Sequence, residues 1–471
     1  MRFYCPRLVI AALRGGSGKT LISVGLCALL KEKGYRVAVF KKGPDFIDPG
    51  WLSFAAKEKC FNLDPFLIPK ERLISSFLLN SANKDIAIVE GNRGIYDGMD
   101  LEGRYSTAEL AKILDAPVLI ILDVSMSTRT ISAILKGCQV FDRDVKIKGV
   151  VLNKVAGKRQ ENLITSCIRH YCGIPVVGAI PKLKKNLLRE RHMGLVPHQE
   201  REEAEKVVQW AKDIVASYTD IEEIIKIAKQ ASFLNATCVN EENKINKTTD
   251  KIVKIGYLLD KAFWFYYPEN LDALTQAGAK LIRLNALEDK EIPELDAIYI
   301  GGGFPETQAE ALANNELFRK RLKAMLEAGT PVYAECGGLM YLGKSLILDH
   351  NEYPMVDFFP ISFFLEKKPQ GHGYTMMEVC GKNPFFEQGK RIKGHEFHYS
   401  RAKILEEDKI EFAFKMLRGK GIFKGQDGVV KKNTLATYTH IHALGDSSWA
   451  DSLVKSASHY SQSKHLSKTV A

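Results

Sequence analysis

Two stretches of this chain carry residue types and spacings suited to chemistry. The first is Arg14–Thr20, "RGGSGKT". Its glycines let the backbone turn so that successive N–H groups converge on phosphate oxygens, and a helix starting there adds the positive end of its dipole. Gly16, Ser17 and Gly18 form the cradle for a nucleotide's phosphates, Lys19 reaches the outer ones, and Thr20 can ligate Mg2+. Leu13 stands where the first glycine of G-x-x-x-x-G-K-[ST] belongs, so the loop follows the deviant form K-G-G-x-G-K-[ST], with Arg14 in place of its signature lysine. Carboxylates for the metal come next. "KKGPDFIDPGW" (41–51) holds Asp45 and Asp48, and "VEGNRGIYDG" (89–98) holds Glu90. Each acid alone reads equally as a turn or helix cap. Together, at the ends of adjacent strands, they face the ligand crevice of an open parallel sheet. Mg2+ favours few carboxylates, several waters and phosphate oxygens, so Thr20, Asp48 and Glu90 form the expected metal set.

The second stretch is "AECGGLMY" (334–341). The glycines after Cys336 permit a sharp strand-to-helix turn that lifts the thiol to a helix N-terminus, where the dipole favours thiolate. The N–H of Gly337 can then serve an oxyanion. Most free cysteines are small buried hydrophobes, and Cys5, Cys27, Cys138 and Cys380 read that way. A thiolate nucleophile needs a base. His440 and His442 in "YTHIH" are the leading candidates, with His395 and His398 in "GHEFHYS" as rivals.

These residues need elements to hold them. From Arg7 to about residue 230, apolar runs at 7–12, 36–42, 85–90, 117–123, 147–153 and 174–180 alternate with helical patterns such as 18–34. Near-continuous apolar strands alternating with helices predict a doubly wound α/β domain around a parallel sheet. Residues 232–250 are polar and aperiodic and read as a linker. A second α/β set follows, with strands at 251–259, 279–285, 296–303 and 330–336, then a β-rich region to about 445. The boundaries are therefore 1–231, 232–250 and 251–445, with 446–471 a polar, serine-rich and frayed tail.

Composition bounds the function. A chain of 471 residues, 45% hydrophobic and 26% charged, is a soluble globular protein of two or three domains. No apolar run is long enough to span a membrane. Nine cysteines without a CxxC pair argue against a disulfide framework or a structural zinc site and for a reducing cytoplasm. The net charge of +11 suits capture of polyanionic small molecules; no basic stripe interleaved with aromatics points to nucleic acid.

Eight stretches in series, "KKGPDFIDP", "VEGNRGIYDG", "LDVSMSTRTISA", "GVVLNKV", "AFWFYYPENLDAL", "YIGGGFPE", "YAECGGLMYLG" and "GHEFHYS", resemble the cobyrinate a,c-diamide synthase family in order and over nearly the whole chain. The resemblance implies a dethiobiotin-synthetase-like P-loop domain followed by a class I glutamine amidotransferase-like domain. It implies that Cys336 attacks the side-chain amide of L-glutamine, with His440 as base and Gly302 and Gly303 joining Gly337 around the oxyanion. His442 stands where many class I amidotransferases carry the triad glutamate, which leaves the third member open. ATP with Mg2+ would activate carboxylates of cobyrinate, with Lys41 near the phosphates, Asp45 nearer the substrate, Asn153 on the adenine and Arg93 on a substrate carboxylate. Nickel sirohydrochlorin and hydrogenobyrinate are alternative substrates, and a partitioning-type ATPase switch is a distant alternative. A homodimer is the one protein assembly entertained.

Overall fold

The computed structural model describes residues 2–235 and 252–470, apart from 189, 192–193 and 201–202. The chain divides into two compact units, 1–242 and 243–471.

The first unit is built on a seven-stranded sheet. Its spatial order is Cys60–Leu63, Val37–Lys42, Ile86–Glu90, Arg7–Ala12, Val118–Asp123, Ile147–Val155 and Val176–Pro181. Every pairing in it is parallel. Arg7–Ala12 and Val37–Lys42 are buried at every position, as strands covered on both faces require. Six of the seven strands match apolar runs in the sequence. The edge strand Cys60–Leu63 was not among them, because four residues give too short a period to read. Lys19–Glu32 forms the first helix, with Gly18 as its N-cap at φ 98°.

The second unit holds a ten-stranded mixed sheet. Ala279–Leu284, Val253–Leu258, Ala297–Ile300, Val332–Glu335 and Thr434–Thr437 run parallel. Gln426–Lys431, Glu411–Arg418, Gly371–Val379, Arg391–His398 and His440–Ile441 extend it antiparallel. A four-stranded sheet formed by Ser345–Leu348, Asn351–Pro354, Ile361–Leu365 and Ser400–Ile404 accounts for the rest of the β-rich region.

Two boundaries differ from expectation. Residues 232–235 belong to the first unit: Leu234–Asn235 pairs with Arg2–Phe3, and the Ser232 carbonyl accepts from buried Arg7 at 2.6 Å. The remaining linker residues, 236–250, lie outside the described residues. The frayed tail is a helix, Ser448–Val470. Trp449, Ala450, Leu453, Val454 and Ala457 recur at helical spacing and are buried, with the Trp449 ring 5.2 Å from Tyr299 and 5.4 Å from Tyr333. The serines between them masked an apolar stripe. Cys380 also departs from expectation: it is exposed, just past the end of Gly371–Val379, and Cys138 is half-buried.

Candidate active sites

In the first unit the loop before Lys19–Glu32 leaves the strand Arg7–Ala12 at the centre of the sheet, where a doubly wound fold opens its crevice. Lys19 is buried, and its Nζ donates to the Arg93 carbonyl at 2.8 Å. Burial, and next the charge of Lys41, push its ammonium below the usual lysine range. The strand ends supply the acids as expected. Lys41 Nζ lies among three of them, 2.5 Å from Asp48 Oδ2, 2.8 Å from Glu90 Oε1 and 3.8 Å from Asp45 Oδ2. Asp45 Oδ1 also accepts from the N–H of Ile47 and of Asp48, so it is a turn cap as well as a member of the cluster. Burial and the Asp48 charge push its carboxyl up to about 7.

Thr20 Oγ1 donates to Glu90 Oε1 at 2.9 Å. Glu90 Oε2 is buried and has no hydrogen-bond partner among the described residues. A buried carboxylate oxygen without a donor, beside a hydroxyl and a second carboxylate at Asp48, is a donor set that fits one Mg2+ completed by water and phosphate.

Asn153, expected near the adenine, lies directly behind the phosphate loop. Its Nδ2 donates to the Ser17 carbonyl at 2.9 Å and its Oδ1 accepts from Lys154 N at 2.9 Å. The amide braces the phosphate loop, and a Cβ on Gly18 would fall 2.4 Å from that Nδ2. Asp123, which the sequence did not single out, joins Arg14 and Lys154 at 3.3 and 2.8 Å. Arg93 is exposed and contributes its carbonyl to Lys19.

In the second unit Cys336 caps the short helix Gly337–Leu342 with φ 46° and ψ −100°. A non-glycine residue held there stores about 1–3 kcal/mol of strain and is found at functional turns. Its N–H donates to the Thr437 carbonyl at 2.7 Å, and its own carbonyl accepts from Met340 N at 3.0 Å. The thiol differs from the expected thiolate. Burial, and then the nearby Glu306 charge, push it well above the usual cysteine range, and the Gly337 N–H offsets this only in part. A six-residue helix does not overcome that desolvation.

The glycine loop and the histidine converge on this turn. Gly302–Gly303 pairs with Phe263–Phe265. A Cβ on Gly337 would stand 3.1 Å from Gly303 N, and a Cβ on Gly302 would stand 2.4 Å from His440 Cε1 and 3.2 Å from its Nε2. Thus Gly302, Gly303, Gly337, Cys336 and His440 share one place. His440 Nδ1 lies 3.5 Å from Glu335 Oε2.

The other histidines separate by their contacts. His395 stacks on His440 with ring centroids 4.9 Å apart, and burial and the neighbouring histidines hold it well below the usual range. His398 stacks on Tyr438 at 3.6 Å and its Nδ1 is 2.9 Å from the Ser400 carbonyl. His442 accepts from Leu444 N at 3.2 Å and faces Glu269 at 3.7 Å.

Sequence reasoning missed Asp123 and Glu335. Glu335 did leave a signal, a carboxylate as the last residue of an otherwise apolar strand.

Comparison with known proteins matches both units. Residues 8–195 match the CobQ/CobB/MinD/ParA nucleotide binding domain, and residues 254–448 match the CobB/CobQ-like glutamine amidotransferase domain. The second match leaves no room for a stand-alone ATPase switch. The cobyrinate a,c-diamide synthase of Archaeoglobus fulgidus is 41% identical over 96% of this chain and 97% of its own length. Those of Magnetococcus marinus (40%, over 97% and 98%) and Caldanaerobacter subterraneus subsp. tengcongensis (38%, over 93% and 95%) are similarly close. With a nucleotide-binding unit and an amidotransferase unit each matched along most of its length, the chain belongs to the cobyrinate a,c-diamide synthase family, enzymes that hydrolyse glutamine and form amides.

Proposed function

We propose that this chain uses ATP and glutamine to amidate the a and c side-chain carboxylates of cobyrinate. The observation that carries the reading is the near end-to-end similarity to relatives of that name, at 41% identity over 96% of the chain. The geometry supports it with a phosphate loop in one unit and, in the other, a strained cysteine turn and a histidine that both border the Gly302–Gly303 loop.

In the second unit the Cys336 thiol passes its proton to His440 as sulfur attacks the glutamine amide carbon. The oxygen of the tetrahedral species faces the N–H groups of Gly303 and Gly337. Collapse returns the proton to nitrogen, ammonia leaves, and water releases glutamate from the thioester. Burial raises the thiol above the usual cysteine range, so sulfur depends on His440 to take its proton. In the first unit Gly16, Ser17, Gly18 and Lys19 hold the ATP phosphates. A substrate carboxylate takes the terminal phosphoryl group to become an acyl phosphate, and ammonia displaces phosphate to leave the amide. Thr20, Asp48 and Glu90 would hold Mg2+, which when bound neutralises charge on the phosphates. Lys41 orients Asp48 and Glu90 from the interior side.

The test offers ATP, Mg2+ and glutamine with cobyrinate, hydrogenobyrinate or nickel sirohydrochlorin, and reads products by mass. Two OH-to-NH2 exchanges on cobyrinate are expected. Turnover of only one of the other two tetrapyrroles would move the substrate assignment there. Lys19→Ala should stop amidation and leave glutamine hydrolysis; loss of both in a folded variant would overturn the division of labour.

A further inference from the structure

Class I amidotransferases of the kind this unit resembles would carry the orienting carboxylate two residues beyond the base. That position here is His442, and its ring faces Glu269, not His440. The carboxylate that does approach His440 comes from the neighbouring strand, from the residue just before the nucleophile. Glu335 is 1% exposed. Its Oε1 accepts from Ile441 N at 3.1 Å, and its Oε2 accepts from the Tyr299 hydroxyl at 3.1 Å. Oε2 also stands 3.5 Å from His440 Nδ1. A carboxylate has about four acceptor sites, so these two bonds leave capacity toward the imidazole.

The two edges of the His440 ring therefore meet different surroundings. Nδ1 meets Glu335, and Nε2 meets the Gly302 backbone, where a Cβ would be 3.2 Å away. His395 stacks on one face of the ring. A separation of 3.5 Å is long for a hydrogen bond, but such bonds tighten when substrate closes a site. Glu335 also grips the backbone of Ile441, the residue after the base, so one side chain fixes both the ring and the strand that carries it.

We infer that Glu335 is the positioning residue of the glutaminase site, receiving the Nδ1 proton of His440 and thereby keeping the Nε2 lone pair toward the Gly302–Gly303 loop. The inference rests on the reading of this unit as a cysteine glutaminase. In the step it serves, the S–H bond of Cys336 breaks, its proton goes to Nε2, and sulfur bonds to the amide carbon. The imidazolium then gives that proton to the leaving nitrogen as the C–N bond breaks. Glu335 stabilises the imidazolium without taking its proton.

The experiment has two arms on the full-length chain. In the first, the 15N signals of the His440 imidazole in the unsubstituted protein report its tautomer. A proton on Nδ1 is expected; a proton held on Nε2 overturns the inference whether or not any variant folds. In the second, glutamine hydrolysis is measured for Glu335→Gln, Glu335→Asp and Glu269→Gln. Glu335→Gln should lower kcat by about 10²-fold, the low end of general-base assistance, with KM changed by less than about threefold. Glu335→Asp should recover part of that loss, and a merely structural role would not give this split. A kcat within about threefold of the original in Glu335→Gln, or a larger loss in Glu269→Gln, overturns the inference. Cys336→Ala separates the two readings: if it hydrolyses glutamine normally, the glutaminase reading itself falls. If it is inert while Glu335→Gln is fully active, only the role of Glu335 falls.

Discussion

The N–H of Cys336 donates to the carbonyl of Thr437 at 2.7 Å. This bond joins the end of the nucleophile's strand to the end of the strand that leads to His440. It extends the parallel pairing of Val332–Glu335 with Thr434–Thr437 by one residue past the point where the first strand turns. The strained φ of 46° is thus held by the same ladder that sets the distance to the base.

From this geometry, Cys336→Ala should lose glutamine hydrolysis by at least about 10³-fold, as removal of a covalent nucleophile does, while ATP binding persists. Gly302→Ala should lose most of it too, because its Cβ would fall 2.4 Å from His440 Cε1. Steady-state glutaminase assays beside a nucleotide-binding titration check both.

Asp427 holds the segment between Thr437 and His440. Its carboxylate accepts from Thr437 Oγ1 at 2.8 Å, from Thr439 Oγ1 at 3.1 Å, and from the N–H groups of Gly428, Tyr438 and Thr439 at 2.8, 3.0 and 3.2 Å. Asp427→Ala would take an acceptor from all of these buried donors, of which the Thr439 N–H alone keeps another, Thr437 Oγ1 at 3.1 Å. We expect a loss of about 2–4 kcal/mol in unfolding free energy, from the cost of unsatisfied buried groups, and a fall in glutaminase kcat. Denaturant titration with paired kinetics measures both.

Lys41 is the counter-charge of the first site. It is fully buried, and three carboxylates lie within 3.8 Å of its ammonium. Lys41→Met should destabilise the chain by about 3–5 kcal/mol, the range for breaking a buried pair from one side. Mg2+ should restore more stability to the variant than it adds to the original protein, since it supplies positive charge to the same acids. Thermal unfolding with and without Mg2+ gives the comparison.

The parallel sheet of the first unit was legible because its strands are buried on both faces and read as unbroken apolar runs. Cys336 and Lys19 were legible because glycines at fixed offsets mark the strand-to-helix turns that carry them. Glu335 was not, since its partners come from Ile441 and Tyr299, which lie 106 and 36 residues away. The tail failed for the opposite reason. Its helical period was local and present, but serine content outweighed the spacing of Trp449, Leu453 and Ala457. Asn153 has a bracing role that motif matching did not indicate: its amide bonds to the backbone of the phosphate loop.

Asp45 has its carboxyl raised to about 7, first by burial and then by the charge of Asp48. In the unfolded chain an aspartate titrates near about 3.9. Between these values the folded state keeps a proton that the unfolded state has released, so unfolding sheds it. The stabilising contribution is therefore complete below about pH 4 and disappears as pH rises through about 7. Asp45→Asn keeps an amide donor for Asp48 and an oxygen for Ile47 N, but cannot ionise. The original chain should lose melting temperature relative to this variant between about pH 5 and pH 8. Parallel melting curves for the two proteins would refute the raised Asp45 carboxyl, because nothing else in the substitution changes a charge.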